Sequence, residues 1–354
     1  MPGSAAGRFF ARDFNLLTGP VLNVMMARGR GGLEQAALDW HEGLRSRGVK
    51  VTSAGRSASW FMDHCPANER APFSTFGRFD PFIAWRLRRV ASGHVCALLH
   101  GNRAMQIMAR PLAGVRRIGV VHNFRYKTLL SHMDGLIAVS HGVAEALRRD
   151  YPNLPCVVVP NLVRAPVEVT RPAGQSPLRI VSLGRLHENK DFGLLIRAFA
   201  RLRRSGVEAR LTIGGEGPER GALEALAASE GVADSVSFPG WIGDRAAFFA
   251  QADLFVLSSR VEPFGIVVIE AMAHGVPVVA TRTDGPLDIL SPGETGLLIP
   301  RESVEEMTAA LRDLLGDPAQ AQRLGAQGRA SVLERWSFDV VAARMAGAVA
   351  SLTA

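Results

Sequence analysis

The feature that most constrains this 354-residue chain is an alternation. Short, unbroken apolar runs recur along it, each separated from the next by a stretch that can be helical. In the first half the runs are "PVLNVMMA" (20–27), "VKVTSAG", "VCALLH" (95–100), "RIGVVHN" (117–123), "GLIAVS" (135–140) and "CVVVPN" (156–161). Strands covered by helices on both faces read this way, whereas a half-exposed strand alternates apolar with polar residues. "GRGGLEQAALDWHEGLRSRG", "DPFIAWRLRRVASG" and "HGVAEALRRDY" carry the helical patterns, and the stretch up to about Arg78 reads as loop. The proline-rich "VRAPVEVTRPAGQSP" (163–177) reads as a linker. After it the pattern restarts, with "LRIVSLG", "ARLTIGG", "SVSFPG", "LFVLSS", "VPVVAT" and "GLLIP" as strands. The expected class is α/β: two Rossmann-like, doubly wound domains facing across a cleft. The first spans 1–165, a linker 166–177, the second 178–336, and a closing helix 337–354 packs back toward the first domain. Ligands of such sheets sit at the carboxyl ends of the strands.

Apolar residues make up 47% of the chain, which suits a large core. Cys65, Cys96 and Cys156 are scattered and none forms a CxxC pair. That spacing favours neither a disulfide framework nor a thiolate metal site, and points to a reducing compartment. No apolar run matches a secretory leader or a membrane span, so the expected location is cytoplasmic, with peripheral attachment to the inner face of the membrane left open. The net charge of +8 is uneven. Residues 1–170 hold 22 Lys and Arg against 11 Asp and Glu; residues 171–354 hold 19 against 22. A basic half joined to a mildly acidic one suits a polyanionic partner on one side, although an Arg-rich composition produces the same balance.

The greasy stretch "RVEPFGIVVIEAMAHGVPVVAT" (260–281) contains two carboxylates, Glu262 and Glu270. Its spacing predicts a helix from about Phe264 to His274, with Pro263 suited to the first turn. Eight helical residues advance roughly 12 Å and turn about 80° beyond two full turns. That is too far for the paired acids of a glycoside hydrolase. It suits the two ends of one extended ligand, with the helix N–H groups near Gly265, Ile266 and Val267 facing an anion between them. Hydroxyls at both ends and an anion in the middle describe a nucleotide-sugar. Taken singly, each glutamate also reads as a surface residue or cap; as a pair inside an apolar segment they need partners.

"SLGRLHENKDFGLLIRAF" sets Arg185 after a strand and Lys190 before a helix, an arrangement suited to a diphosphate. "GRGGLEQ" puts Gly31 and Gly32 between a strand and a helix, allowing close backbone approach to phosphate. Each of these features is common by itself.

Together these residues resemble the retaining glycosyltransferases of family 4, which have the GT-B fold. The likeness spans most of the chain and is densest from about 178 to 300. "EPFGIVVIE" looks like the family's pair of glutamates with seven residues between them. "GRLHENK", which includes Gly184, looks like its donor-diphosphate motif. "GGEGPER" (214–220), "VSFPGW" (236–241) and "GETGLLIP" (293–300) also fit; "GGLE", "VVHN" and "VVVPN" fit more loosely. The resemblance implies that Glu270 holds the ribose and that Glu262 sits at the donor hexose. It implies that the amides of Phe264, Gly265, Ile266 and Val267 contact hydroxyls or phosphate. Arg185 and Lys190 would neutralise the leaving diphosphate, and Pro239 and Gly240 would lie near the base. His122 matches the family's histidine beside the transferred sugar; His100 is a weaker candidate, and His274 reads as a structural residue at a helix end.

The implied reaction moves a hexose or N-acetylhexosamine from a UDP- or GDP-sugar to a glycan or glycolipid, with retention, as in lipopolysaccharide or cell-surface polysaccharide synthesis. A small soluble acceptor is the alternative. The sequence has no D-x-D, so no divalent metal or other cofactor is expected, and fixed cations take its place. "FIAWRLRRVASG" (82–93) mixes Phe82 and Trp85 with arginines, a composition suited either to an anionic membrane surface or to a core helix with a solvated edge. A dinucleotide oxidoreductase would need G-x-G-x-x-G after the first strand, and "GRGGLE" lacks that spacing. No stacking or reading motif supports a nucleic-acid binder. An inactive subunit would not need Arg185, Lys190, Glu262 and Glu270 together.

Overall fold

The computed structural model describes residues 19–74, 82–110, 112–126, 128–167 and 177–354. The segment 1–18, and residues 168–176 of the linker, lie outside the described residues. The chain forms two compact units. One comprises residues up to 139, then 143–159 and 339–354; the other comprises 140–142 and 160–338.

The first unit is built on seven parallel strands: β1 (Val21–Met25), β2 (Val51–Arg56), β3 (Arg70–Phe73), β4 (Cys96–His100), β5 (Arg116–Val121), β6 (Gly135–Ala138) and β7 (Cys156–Val158). Their order across the sheet is β3-β2-β1-β4-β5-β6-β7. The second unit has six: β8 (Leu178–Leu183), β9 (Ala209–Gly214), β10 (Val236–Gly240), β11 (Leu254–Leu257), β12 (Val278–Thr281) and β13 (Leu297–Ile299), ordered β10-β9-β8-β11-β12-β13. Counting strands from the start of each unit, the first six follow the same 3-2-1-4-5-6 order. That is the Rossmann order, which reverses beside the first strand and leaves a crevice at the carboxyl ends there. The crevices fall between β1 and β4 and between β8 and β11.

The central strands are mostly apolar because helices cover both faces; β1, β4, β6, β11 and β12 are buried along their full length, with Asn23, His100 and Thr281 the polar residues among them. The helix Phe192–Arg204 shows how the covering layer is made. It turns Phe192, Leu194, Leu195, Ile196, Phe199 and Leu202 inward, and Asp191 caps its start by accepting from the Leu194 amide. The closing helix Phe338–Thr353 packs with the first unit, where a Cβ at Gly43 would lie 2.7 Å from Met345 Sδ.

Two local readings are corrected. The stretch before Arg78 is not all loop: it holds a helix, Trp60–His64, capped by Ser59, and the edge strand β3. β3 is four residues with a proline and mostly solvent-facing positions, so it lacks the continuous apolar signature of an inner strand. The apolar helix runs over Ile266–Ala273, beginning two residues later than expected. Its N-cap is Gly265 at φ 95°, and Pro263 lies outside the helix. A left-handed residue ahead of the helix is a conformation that glycine adopts readily.

Candidate active site

In the second unit the site forms where β8 and β11 diverge. The loop after β8 starts at Gly184 and Arg185 and ends in the short turn Glu188–Lys190. Lys190 reaches back so that a Cβ at Gly184 would lie 3.6 Å from its Cε. The loop after β11 carries Ser258, Ser259 and Glu262. Ser258 Oγ donates to the Lys190 carbonyl at 2.8 Å, and the Arg260 amide donates to the Asn189 carbonyl at 2.9 Å. These bonds tie the two loops together. Across them Lys190 Nζ donates to Glu262 Oε2. Ser259 Oγ donates to the same oxygen at 3.3 Å. Glu262 is only 7% exposed, so the ammonium and hydroxyl are what make its burial tolerable. Two predicted residues are thus in contact, and Lys190 is engaged rather than free. Arg185 is different: it is exposed and makes no hydrogen bond or ion pair with a described residue.

Glu262 is also held through its backbone. Its carbonyl accepts from the Gly285 amide at 2.9 Å. Gly285 is packed so closely that a Cβ there would lie 1.9 Å from the Phe264 carbonyl oxygen. The chain from Glu262 to Gly265 is therefore pinned before the helix containing Ile266, Val267 and Glu270 begins. Glu270, four residues into that helix from Ile266, accepts from Arg245 Nη1. Arg245 was not foreseen. It opens the short helix Arg245–Ala250, and nothing in its neighbourhood marks it as different from other surface arginines. His274 caps the same helix, with Nδ1 2.8 Å from the Glu270 carbonyl and its ring on Phe249, as a structural residue would.

The loops after β8, β9 and β10 interlock. Gly184 N donates to Gly214 O at 3.0 Å, Leu186 N to Glu216 O at 2.8 Å, and Gly215 N to Gly240 O at 2.7 Å. Pro239 sits exposed on the edge strand β10, beside a break in register, where a missing N–H is harmless. Gly240 follows at φ 81°.

In the first unit Gly31 is the N-cap of the helix Gly32–Ser46, in extended geometry. The carboxylate of Glu34 lies 3.3 Å from where a Cβ at Gly31 would sit, and Glu34 is 7% exposed. An anionic side chain thus already sits at this helix entrance. His122 lies one residue past β5, with Nε2 3.2 Å from His100 Nδ1. Burial lowers the pKa of His122 to about 4, and burial together with His122 holds His100 well below the usual range. Both rings are neutral at physiological pH. Among the described residues no cluster of acids, histidines and cysteines is arranged to hold a metal ion.

These loops and side chains converge at the carboxyl-end crevice of the second sheet, where ligands of Rossmann sheets bind. Glycosyl transferases group 1 matches residues 170–331, and glycosyltransferase family 4 matches residues 30–165. The lipopolysaccharide core biosynthesis glycosyltransferase LpsE of Rhizobium meliloti is 38% identical over 162 residues, 46% of this chain and 46% of LpsE. The chain therefore spans about half the length of that relative. LpsD, of the same description and organism, is 27% identical over 324 residues, 88% of this chain and 92% of LpsD. The structure of Anabaena HepE in complex with UDP and glucose matches with a TM-score of 0.82 at 18% identity, over 94% of this chain and 100% of HepE. The fold is GT-B. Each unit thus resembles a glycosyltransferase family model, family 4 in the first and group 1 in the second.

Proposed function

We propose that this protein is a retaining hexosyltransferase that takes a hexose or N-acetylhexosamine from a nucleotide-diphosphate sugar to a glycan or glycolipid, in lipopolysaccharide or related polysaccharide synthesis. The observation that carries this reading is the gathering of Gly184, Arg185, Lys190 and Glu262 at the β8/β11 crevice, within the segment that matches the glycosyl transferases group 1 model. In this reading the unpartnered Arg185 takes a phosphate of the donor. Lys190 divides its charge between Glu262 and the leaving diphosphate, and Glu262 stays beside the hexose. Glu270, oriented by Arg245, accepts from the ribose hydroxyls. Phe264, Gly265, Ile266 and Val267 present backbone to the ligand between the two acids; Pro239 and Gly240 lie toward the base.

The transition state is cationic at the sugar and anionic at the phosphate, so cations fixed before reaction contribute most. With retention, the acceptor attacks the face that the diphosphate leaves, and the departing phosphate oxygen takes the acceptor's proton. Arg185 and Lys190 supply the positive charge that a divalent metal supplies in other glycosyltransferases, so turnover is expected without one. The neighbours' ligands support the donor class: HepE is described with UDP and glucose. LpsE and LpsD, named for lipopolysaccharide core synthesis, support the acceptor class.

The acceptor-side unit carries the basic half of the charge. Its helix Phe82–Ala91 buries Ile83, Leu87 and Ala91, leaves Phe82 64% and Trp85 60% exposed, and stacks Arg89 5.8 Å over Trp85. Exposed aromatics beside arginines suit the headgroup layer of an anionic membrane, where a glycolipid acceptor resides. No helix among the described residues is long and apolar enough to cross a membrane.

The test is a thermal-shift screen of UDP- and GDP-sugars, followed by turnover of the stabilising donor with and without EDTA. Stabilisation by a nucleotide-sugar and full turnover in EDTA are expected. No stabilisation by any donor would sink the reading; activity abolished by EDTA and restored by Mn²⁺ would sink its metal-free part. Co-flotation with anionic but not neutral liposomes, reduced in Trp85→Ala, is expected for the membrane contact.

A further inference from the structure

A line of buried polar side chains leads from His122 into the sheet of the first unit. β1 and β4 pair with Asn23 opposite Leu98 and Met25 opposite His100, so Asn23 and His100 share one face of the sheet. His100 is in turn opposite Val120, two residues before His122. The alternation of a strand therefore brings Asn23, His100 and His122 into a row across three adjacent strands.

The hydrogen bonds along this row have a defined direction. Asn23 Nδ2 donates to the Ala37 carbonyl at 2.8 Å. A carbonyl only accepts, so the amide cannot be turned over without setting two oxygens against each other. Asn23 Oδ1 then faces His100 Nε2 at 2.8 Å, and that nitrogen must carry a proton. His100 is 1% exposed and neutral, so its other nitrogen, Nδ1, is a lone pair. The 3.2 Å contact with His122 Nε2 therefore requires the proton on His122 Nε2. His122 is neutral for the same reason, which leaves its Nδ1 as a bare acceptor with no hydrogen bond to any described residue.

The same sense continues inward. Asn23 Nδ2 is 3.3 Å from Ser53 Oγ, and Ser53 Oγ is 2.9 Å from His41 Nδ1. His41 Nε2 lies 3.1 Å from Glu69 Oε2, which Arg45 holds at 2.9 Å. Up to His41 every donor in the series points inward, and His41 Nε2 then approaches Glu69 without the alignment of a hydrogen bond. Aligned bonds of this kind polarise one another, and an inverted member would place like groups in contact.

We propose that Asn23 and His100 are positioning residues that hold His122 as its neutral Nε2–H tautomer, so that His122 Nδ1 accepts a hydrogen bond from a hydroxyl of the bound sugar. His122 is then a reader of hydroxyls and not a cation for phosphate; a phosphate oxygen facing Nδ1 would meet a second acceptor. The hydroxyl in this statement rests on the donor-sugar reading given above, whereas the tautomer does not.

The test is NMR of the full chain with ¹⁵N-labelled histidine, without ligand, at neutral pH. The His122 signals are assigned by their loss in His122→Asn. Three results are expected: neutral Nε2–H forms for both His100 and His122, a through-hydrogen-bond coupling between His122 Nε2 and His100 Nδ1, and no detectable Nδ1–H form of His122. In His100→Leu the coupling is lost and the Nδ1–H form of His122 appears. His100→Gln, whose amide can donate to Asn23 and accept from His122, restores the single form. A His122 ring protonated on Nδ1 in the wild type overturns the proposal, and that measurement needs no variant to fold. A His122 tautomer unchanged in His100→Leu overturns the positioning role. If the tautomers are as stated but no nucleotide-sugar binds, the functional reading fails while the relay stands.

Discussion

A carboxylate as buried as Glu262 persists inside a protein only with charge and hydrogen bonds to meet it. Lys190 and Ser259 provide both. Lys190→Ala strands that carboxylate, and is expected to destabilise the second unit by about 3 kcal/mol, read by chemical denaturation. The double variant Lys190→Ala/Glu262→Ala should recover part of the loss, since the stranded charge is gone. Glu262→Gln keeps the shape and a hydrogen bond but removes the charge. Turnover should fall by roughly 100-fold while binding of the nucleoside diphosphate is kept. Glu270→Ala should do the reverse, weakening donor binding by roughly 10-fold with a smaller effect on turnover, because one charge-assisted bond to a ribose is lost. Wild-type kinetics in both variants would remove these residues from the site. At this scale the sequence showed the acids and the lysine but not their pairing. Arg245 gave no signal, whereas Asn23 gave an unused one: a polar residue inside "VLNVM" demands a partner.

At the scale of elements, the strand-end loops of the second unit fit by having no side chain where backbones meet. A Cβ at Gly215, at φ 129°, would lie 1.9 Å from the Gly184 carbonyl oxygen. Gly215→Ala must therefore move the donor loop, with an expected loss of at least about 3 kcal/mol. Gly221, inside the helix Arg220–Ser229, has nothing within 4 Å of its absent Cβ. Gly221→Ala should stabilise by up to about 1 kcal/mol. Equal effects in a paired denaturation measurement would contradict this account of the loops. Inner strands and amphipathic helices were legible because their apolar period is local. β3 and the entry to Ile266–Ala273 were not, since one is an exposed edge and the other is set by Gly265 and by the Gly285 contact from a distant loop.

At the scale of the molecule, charge and protonation separate the halves. Four histidines of the first unit, His41, His94, His100 and His122, are held below the usual imidazole range, in each case chiefly by burial. The unfolded chain takes up protons at these groups near pH 6.5, while the native state does so only at lower pH. Stability is therefore full above about pH 6.5 and declines as the pH falls toward 4, where His122 itself protonates. Hydrogen exchange in β1, β4 and β5 should accelerate over that window. His122→Asn should flatten the dependence, and an unchanged slope would show that His122 is not among the titrating groups.

The sequence by itself determined the architecture. Unbroken apolar runs spaced by helical stretches admit little besides parallel sheets covered on both faces, and that pattern is written in neighbouring residues. It also placed Gly184, Arg185, Lys190 and Glu262 at strand ends and helix starts and Glu270 within a helix, because those positions follow from the same periodicity. Only the tertiary structure decided what these side chains meet. Lys190 finds Glu262 across 72 residues, and His100 finds Asn23 across 77. The physical reason is strand order. The reversal beside the first strand of each sheet sets β11 next to β8 and β4 next to β1, and it is that adjacency, invisible along the chain, that turns separate polar residues into paired ones.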